Sequence, residues 1–427
     1  MENSEILSKR RLYRLWSVIA FGAGTHLLNN VVSAFDSPEE MYVSLTSDDK
    51  PAVSAEAVRR AKETPLSSAE KIMEQCCKKS IGIVTIDDND YPERLRYIDF
   101  PPPVLFYRGD ISGIDDNLSI GIVGARMPSD YSRRVTAGIV RLLAGHGFDI
   151  ISGFAEGIDI TSHVTAIKNG GRTYAVLGTG IDYNYPRNNM KYRDAIIANG
   201  AVITEFLPSS KPLSHNFPQR NRILAGLSMS IAVIEAGGSS GSLNTAAHAA
   251  EQGKTVFAVP PSDLFDSRYM GNTALIRDGA VPLMGARDIF GEYCNNLVHT
   301  IDENSPLRNK LSALKIYSDN AERSDRETPP MPSPPPSVKK HRAAAAEKAV
   351  TENTASAVVT LNEQQLGTAE NEIQRKILSA MNGREPMRAD DISAELSEDI
   401  AQVLEVLTEL EIFGRVTAEN GSYRIIG

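Results

Sequence analysis

Short apolar runs alternate with amphipathic stretches through the middle of the chain. The runs are typical of strands buried on both faces, and they lie at 119–124, 149–152, 173–177, 201–204, 230–235 and 255–259. The stretches between them have helical length and periodicity, at about 129–146, 157–169, 189–199, 217–228 and 241–252. Strand and helix in this alternation predict an α/β protein with a doubly wound parallel sheet.

The flanking regions follow other patterns. Residues 1–78 read as helices, with Trp16, Ile19, Leu28 and Val31 among the residues of one apolar face. Glycines at 22 and 24 interrupt this pattern, as in a helix-hairpin-helix turn or in the loop of a plain helical bundle, and we favour the bundle. Residues 81–110 carry several prolines and are expected to be extended and packed on the sheet.

A composition change marks the C-terminal part. The segment ETPPMPSPPPS at 327–337 predicts an extended linker. Beyond it, three helical patterns precede two strand-like runs around Asn420-Gly421, a hairpin signal, and this order predicts a winged-helix-like domain. The expected division is a helical domain at 1–78, the sheet domain at 79–300, a linker at 301–368 and a winged-helix-like domain at 369–427.

Composition narrows the class of protein. The 427 residues are 41% hydrophobic and 23% charged, with a net charge of −9, which excludes a wholly disordered chain and a uniformly basic coat for nucleic acid. The three cysteines have no metal-ligand spacing, so we expect no metal site and a reducing environment. No apolar run is long enough to cross a bilayer, and we expect a soluble cytoplasmic protein with no membrane span.

Glycines follow nearly every predicted strand of the sheet. They include Gly124, Gly153, Gly178 and Gly241. The carboxyl ends of parallel strands meet at one sheet edge, where glycine lets the backbone approach a phosphate and helix N-termini offer N–H donors. Glycine is also the ordinary residue of tight turns, but repetition along one edge predicts a phosphate-binding edge.

A locally positive stretch lies within this acidic chain. Residues 187–222 hold six Lys or Arg residues against two acidic ones, with Phe217 inside the stretch and Tyr185 just before it. Cations with aromatic faces along a groove are what a single-stranded nucleic acid needs. Two other interpretations remain open here: the aromatic rings belong to the core, and Arg220 and Arg222 form structural ion pairs. Asp159 and His163, four residues apart, are expected to have a structural or ligand-positioning role.

Several motifs, taken in their order along the chain, resemble those of one known family. They are Gly124-Ala125-Arg126, the segment SGFAEGID at 152–159, GTGID at 178–182, YPRN at 185–188, FPQRNRI at 217–223, EA at 235–236 and SGSLNTA at 240–246. Their order and spacing are similar to those of the DprA/Smf family, DNA-processing protein A. One departure is Ala125, where many relatives have serine, so one hydroxyl that could reach a phosphate is lost while Arg126 is kept.

The resemblance implies an extended Rossmann domain that binds single-stranded DNA and hydrolyses nothing. Family members protect incoming single strands in natural transformation, load the RecA recombinase and form homodimers through this domain. The resemblance implies neither a cofactor, nor a metal, nor a catalytic residue. Carried over by motif, the residues expected to bind single-stranded DNA are Gly124, Arg126, Ser152, Gly153, Arg187, Asn188, Lys191, Phe217, Arg220, Asn221, Arg222, Ser240, Gly241 and Ser242.

An enzyme is the main alternative. A Rossmann-type nucleotide phosphoribohydrolase would use a P-G-G-x-G-T loop with a glutamate soon after it. Here Gly237-Gly238 is followed by no glutamate before Glu251, which disfavours the enzyme. For the C-terminal domain we favour a protein-binding role, because the third predicted helix carries no Lys or Arg and residues 371–427 hold six basic and eleven acidic side chains.

Overall fold

The computed structural model describes residues 2–47, 52–302, 305–315, 372–412, 415–419 and 422–425. The chain divides into two compact units, residues 1–329 and 330–427. Most of the predicted linker, its residues 316–368, lies outside the described residues. Among the described helices, none combines the length and the apolar character that crossing a bilayer requires.

The larger unit is a mixed α/β structure. Its strands are β1 (Gly82–Thr85), β2 (Val104–Gly109), β3 (Ser119–Val123), β4 (Asp149–Ser152), β5 (Thr173–Val176), β6 (Gly200–Thr204), β7 (Ser230–Val233), β8 (Val256–Ala258) and β9 (Val281–Pro282). Its helices are α1 (Glu2–Phe21), α2 (His26–Val32), α3 (Pro38–Thr46), α4 (Ala55–Glu63), α5 (Ser67–Lys78), α6 (Glu93–Arg96), α7 (Asp130–Gly145), α8 (Ile158–Lys168), α9 (Met190–Ala198), α10 (Asn216–Leu227), α11 (Gly241–Glu251), α12 (Met270–Arg277), α13 (Ala286–Asn295) and α14 (306–315).

All nine strands of this unit form one sheet in the order β1-β2-β6-β5-β4-β3-β7-β8-β9. The strands from β6 to β9 pair in parallel, which confirms the predicted doubly wound sheet. At the other edge β2 pairs with β6, and β1 with β2, in antiparallel fashion. Residues 81–110 therefore extend the sheet instead of only packing on it.

The chain winds in one direction from β3 to β6 and then returns to place β7 beside β3. The loops after β3 and β7 thus separate at the carboxyl edge, which is where an open parallel sheet forms a crevice. Helix α10 packs closely under this region, because a Cβ on Gly121 of β3 would come within 3.1 Å of Leu224 of α10. The fold therefore concentrates its loops and helix N-termini around one crevice.

The five N-terminal helices share a hydrophobic core with the sheet. Trp16 and Phe21 of α1 are fully buried in one cluster with Phe106 of β2 and Val202 of β6. Ion pairs join the same regions, since Arg14 donates to Asp87 at 2.7 Å. The division expected at residue 78 is thus not a boundary between compact units. The glycines at 22 and 24 form the turn between α1 and α2, with φ of 86° and 67°.

The predicted start of the linker at residue 301 is too early. Residues 306–315 are helical, and Leu307, Leu311 and Leu314 are buried in the same core cluster as Phe290 of α13. The spacing of these three leucines places them on one helix face, which needs the sheet domain as its partner. The ordered domain thus extends at least to residue 315.

The smaller unit contains α15 (Glu372–Met381), α16 (Ala389–Leu396), α17 (Ile400–Ile412), β10 (Val416–Glu419) and β11 (Ser422–Ile425). The two strands form an antiparallel hairpin. Ile377, Ile392, Val403 and Leu407 are fully buried in a core of this unit's own. Three helices followed by a hairpin are the elements that the sequence predicts for this part.

Candidate nucleic-acid interface

A pocket of about 320 Å³ opens at the carboxyl edge of the sheet. Its walls are the loops after β3, β4 and β5 together with the N-terminal parts of α10 and α11. Of the fourteen residues expected to bind DNA, the structure brings nine to this pocket: Gly124, Arg126, Gly153, Phe217, Arg220, Asn221, Ser240, Gly241 and Ser242. The crevice at the point where the chain reverses is therefore a real cavity.

Two of the loop glycines are required by close packing. A Cβ on Gly153 would lie 2.6 Å from the Asp159 Oδ2 and from an Arg220 nitrogen, and a Cβ on Gly178 would lie 2.8 Å from the Phe217 ring. Both distances are below 3.0 Å, a separation that real Cβ atoms essentially never show. The absence of side chains here lets an arginine and an aromatic ring form part of the pocket wall.

A buried charged pair of residues holds the floor of the pocket. The Arg220 guanidinium donates to the carbonyl oxygens of Gly153, at 2.7 Å, and of Val176. The Asp159 carboxylate accepts from the backbone N–H of Gly153 at 3.0 Å and of Ala155 at 3.2 Å. Burial raises the pKa of Asp159 to about 6, with the positive charge of Arg220 opposing it, and burial lowers the pKa of Arg220 to about 10. These groups tie the loops after β4 and β5 together.

An aromatic wall with a cation above it forms one side. The rings of Tyr185 and Phe217 lie 5.8 Å apart and are tilted by 49°. The Arg126 guanidinium lies 5.8 Å from the centre of the Phe217 ring. Arg126 is exposed and forms no ion pair with any described residue. A cation that is free to meet a phosphate thus lies beside two rings that can stack on a base.

The N-terminus of α11 forms another side of the pocket. Ser240 caps this helix, since its hydroxyl accepts from the Ser242 N–H at 3.3 Å. The Asn221 side chain joins α10 to α11 by donating to the Gly241 carbonyl at 3.3 Å and to Asn244 at 3.2 Å. The unpaired amides and the dipole of a helix N-terminus favour an anion, which adds to the attraction of Arg126.

Three predicted residues lie on the rim and do not line the pocket. Arg187 and Asn188 belong to the short 3-10 turn Arg187–Asn189, and Lys191 is in the first turn of α9. All three are exposed. Asn188 donates to Glu156 Oε1 at 2.9 Å, and the Lys191 ammonium lies 5.3 Å from the Tyr192 ring. The two cations extend the positive surface beyond the pocket.

Two other predicted residues point into the core. The Ser152 hydroxyl donates to the Ile122 carbonyl at 2.6 Å and is fully buried. The Arg222 guanidinium pairs with the Glu205 carboxylate at 2.5 Å and with the Phe100 carbonyl at 3.1 Å. Because both partners of that ion pair are nearly inaccessible to solvent, Arg222 has the structural role that the sequence left open. The structure gives neither residue a place in the pocket.

The pair of Asp159 and His163 does not form a catalytic dyad. His163 Nδ1 bonds to the Thr173 hydroxyl at 2.7 Å, whereas Asp159 bonds to backbone amides. His163 is completely buried, and burial lowers its pKa to about 3, with the charge of Arg220 adding to the effect. The imidazole is therefore neutral and structural. No cluster of metal ligands occurs within the described ranges.

Sequence reasoning missed one residue that lines the pocket with a negative charge. Glu156 lies in the loop after β4, and its place in a sequence motif alone assigns it no role. Its position directly before Gly157, in a loop at the carboxyl edge, is the signal that would have found it. Tyr185, noted in the sequence only as an aromatic neighbour of the basic stretch, also lines the pocket.

A nine-stranded mixed sheet with a pocket at its reversal point, followed by three helices and a hairpin, defines a Rossmann-like protein with a second small helical domain. Models of two families match the chain: DNA recombination-mediator protein A over residues 82–294 and the DprA winged helix domain over residues 362–422. The chain belongs to the DprA/Smf family, and its C-terminal unit is a winged helix, as the sequence predicts.

Individual proteins similar to this chain support the same family assignment. The DNA processing protein DprA of Bacillus subtilis (strain 168) is 38% identical over 240 residues, which are 56% of this chain and 80% of the relative. DprA of Streptococcus pneumoniae is 37% identical over 209 residues, which are 49% of this chain and 73% of the relative. The X-ray structure of DprA from Streptococcus pneumoniae aligns with a TM-score of 0.52 and 33% identity, over 56% of this chain and 81% of that one.

Proposed function

We propose that this chain binds single-stranded DNA across the pocket of the larger unit, protects incoming strands in natural transformation and loads the RecA recombinase onto them. The observation that carries the proposal is the unpaired Arg126 above Phe217, at the mouth of a glycine-lined pocket. A flexible single strand can place a phosphate against the arginine and a base against the rings, whereas stacked bases in a duplex are inaccessible to the rings.

The test is fluorescence anisotropy with labelled oligo-dT and with a matched duplex. We expect tight binding of the single strand, weak binding of the duplex and a strong loss of single-strand binding in the double variant Arg126→Ala, Arg187→Ala. The control is Arg134→Ala, Arg141→Ala, which removes the same charge from exposed positions of α7. Single-strand binding that is equal in the two double variants would refute the proposed site.

The proposal includes a homodimer formed through the larger unit and action in the cytoplasm together with RecA. Analytical ultracentrifugation of the full chain tests the dimer, and a single sedimenting species of monomer mass across the concentration range would contradict it. RecA nucleation on oligonucleotides precoated with single-strand-binding protein tests loading. We expect faster nucleation with the wild type than with the Arg126→Ala, Arg187→Ala variant.

We further infer that the pocket binds without catalysing a reaction. The Asp159 carboxylate already accepts two backbone N–H bonds at the pocket floor, which leaves it poorly placed to act on a sugar. The alternative of a nucleotide phosphoribohydrolase predicts release of free base from a nucleoside monophosphate. Base release that Glu156→Gln or Asp159→Asn abolishes would revive that alternative.

A further inference from the structure

The pocket that we propose for DNA contains one carboxylate with no structural role that accounts for it. Glu156 lines the pocket and is half-buried. Its Oε1 accepts one hydrogen bond, from Asn188 Nδ2 at 2.9 Å, and its Oε2 accepts none from the described residues. A carboxylate oxygen without a hydrogen-bond donor among the described residues thus lines the same cavity as Arg126 and Phe217.

Its neighbours make an unpaired carboxylate unexpected. Gly157 follows Glu156 and contacts the backbone of the Arg126 loop so closely that a Cβ there would lie 2.5 Å from the Arg126 carbonyl oxygen. Glu156 nevertheless forms no ion pair with any described residue. An arginine and a glutamate on touching loops that do not pair are each available to a ligand.

The charge of Glu156 limits which part of a nucleotide can face it. A phosphate would be repelled, and deoxyribose within a strand offers no hydroxyl donor. The N–H groups of a base edge remain, since a carboxylate accepts hydrogen bonds and donates none. The 185–188 segment, which carries Tyr185 and holds the carboxylate through Asn188, links this acceptor to the aromatic wall.

The four bases differ in what their Watson–Crick edges donate. Guanine presents two adjacent donors, N1–H and the N2 amino group, which match the two oxygens of a carboxylate. Thymine presents one N–H between two carbonyl oxygens, and a carboxylate repels these two oxygens. Adenine and cytosine each present one amino group beside an acceptor nitrogen. An unpaired base on the rings of Tyr185 and Phe217 therefore bonds best to Glu156 when it is guanine.

We propose that Glu156 reads the base held in the pocket and gives this protein a preference for single strands that place a guanine there. The proposal rests on the proposed function, since it names the base for the same site. Arg126 and the helix N-terminus supply affinity that is independent of sequence, while Glu156 supplies a preference. Asn188 is a positioning residue that fixes one oxygen of the carboxylate.

The experiment compares three oligonucleotides on the full chain by competition anisotropy at one ionic strength: oligo-dT, oligo-dT with one central guanine, and the same with hypoxanthine, which lacks the N2 amino group. We expect the guanine strand to bind about tenfold more tightly than oligo-dT, because a well-formed bidentate contact to a base discriminates by about 5- to 150-fold. The hypoxanthine strand should fall between the two.

The variant Glu156→Gln separates base reading from other roles. Its amide offers one acceptor and one donor, so the guanine preference should fall to about twofold or less. Glu251→Gln is the matched control, because Glu251 ends α11 and is exposed outside the pocket. This control should retain the full preference.

The outcomes that overturn the proposal are distinct. Equal affinity of the wild type for all three strands, or a guanine preference that survives Glu156→Gln, refutes base reading but leaves single-strand binding in place. A variant that binds all strands more tightly by one common factor would show that Glu156 only repels phosphates, and this also refutes the proposal. A wild type that binds no strand overturns the proposed function as well.

Discussion

Gly153 has no room for a side chain, because two neighbouring residues fill the space beside its Cα. Asp159 and Arg220 occupy the space into which a Cβ would project, and both are held by hydrogen bonds to backbone groups. Neither side chain can therefore move away from an added Cβ without losing hydrogen bonds. The glycine of a predicted phosphate loop here serves the packing of the pocket floor as much as the approach of a ligand.

We expect Gly153→Ala to lower the free energy of unfolding by about 1–3 kcal/mol, which is the usual cost of overpacking a fixed site. Thermal and urea unfolding measure this. Gly138→Ala is the matched control, because Gly138 lies inside α7 with nothing within 4 Å of the added Cβ. There the substitution should raise stability by up to about 1 kcal/mol through helix propensity. Equal effects at the two sites would contradict the packing argument.

His163 makes the fold sensitive to acid. Its pKa is lowered to about 3 in the folded protein by burial, whereas the unfolded imidazole titrates near 6.5. Below pH 6.5 the unfolded chain binds a proton that the folded chain refuses, so the free energy of unfolding falls as the pH falls towards 3. Asp159 acts in the opposite sense between about pH 4 and 6, because its raised pKa makes the folded state bind the proton first.

The variant His163→Gln removes this titrating group. At pH 7.5 the wild type and the variant differ in their free energy of unfolding by a certain gap. This gap should be about 2 kcal/mol smaller at pH 5.0, because only the wild type has an imidazole that binds a proton in the unfolded state and not in the folded state. Urea unfolding at the two pH values measures the gap. The same substitution at the exposed His215 is the control and should leave its own gap constant. A constant gap for His163→Gln would show that the folded imidazole takes up the proton.

Among the secondary-structure elements, those buried on both faces were the most predictable. The run expected at 149–152 is β4 to the residue, and the helix expected at 157–169 is α8, Ile158–Lys168. Their patterns are local, because every residue of β4 must be compatible with burial. The antiparallel β1 and β2 and the helix at 306–315 were not predicted, because their stability depends on distant partners across the sheet and on the core.

Helix α17 has the place of a recognition helix but the wrong charge for a duplex. It carries no Lys or Arg, and residues 371–427 have a net charge of −5, from six basic and eleven acidic side chains. A winged helix normally places this element between the phosphates of the major groove, and an acidic helix is repelled there. We therefore expect the winged helix to meet a protein partner.

A chain ending at residue 329, the limit of the larger unit, tests this expectation. Its affinity for oligo-dT and for a matched duplex should stay within about twofold of the full chain, since the removed unit contributes repulsion more than attraction. Anisotropy at low salt measures both affinities. Loss of duplex binding on truncation, with intact folding by circular dichroism, would assign DNA recognition to the winged helix.

In the molecule as a whole, a net charge of −9 coexists with a positive surface at one sheet edge. The exposed Arg126 and Arg187 lie at that edge, while Arg220 and Arg222 are buried in structural roles. Because charges separated by more than a Debye length are screened in solution, the local cations and not the overall charge decide whether an anionic strand binds.

The slope of DNA affinity against salt concentration reports how many of these cations contact phosphates. For single strands the logarithm of the affinity falls by about 0.7 per neutralised phosphate for each tenfold rise in salt. Loss of Arg126 and Arg187 should therefore reduce this slope by about 1.4 if each meets one phosphate. Anisotropy over a salt series measures it for the wild type and the double variant. An unchanged slope, with affinity lost, would assign the effect to stacking on Phe217 rather than to phosphate contacts.

The sequence by itself determined the doubly wound sheet, the winged helix and the glycine-rich edge, because periodicity, turn chemistry and motif order are local properties of the chain. Only the tertiary structure decided which basic residues are exposed beside the pocket and which are buried. Arg220 and Arg222 stand two positions apart in one motif, yet one bonds to the carbonyl oxygens of Gly153 and Val176 and the other to Glu205. Whether a side chain is buried depends on elements that are far apart in the chain. For the same reason, Glu156 can be identified as a pocket residue only from the tertiary structure.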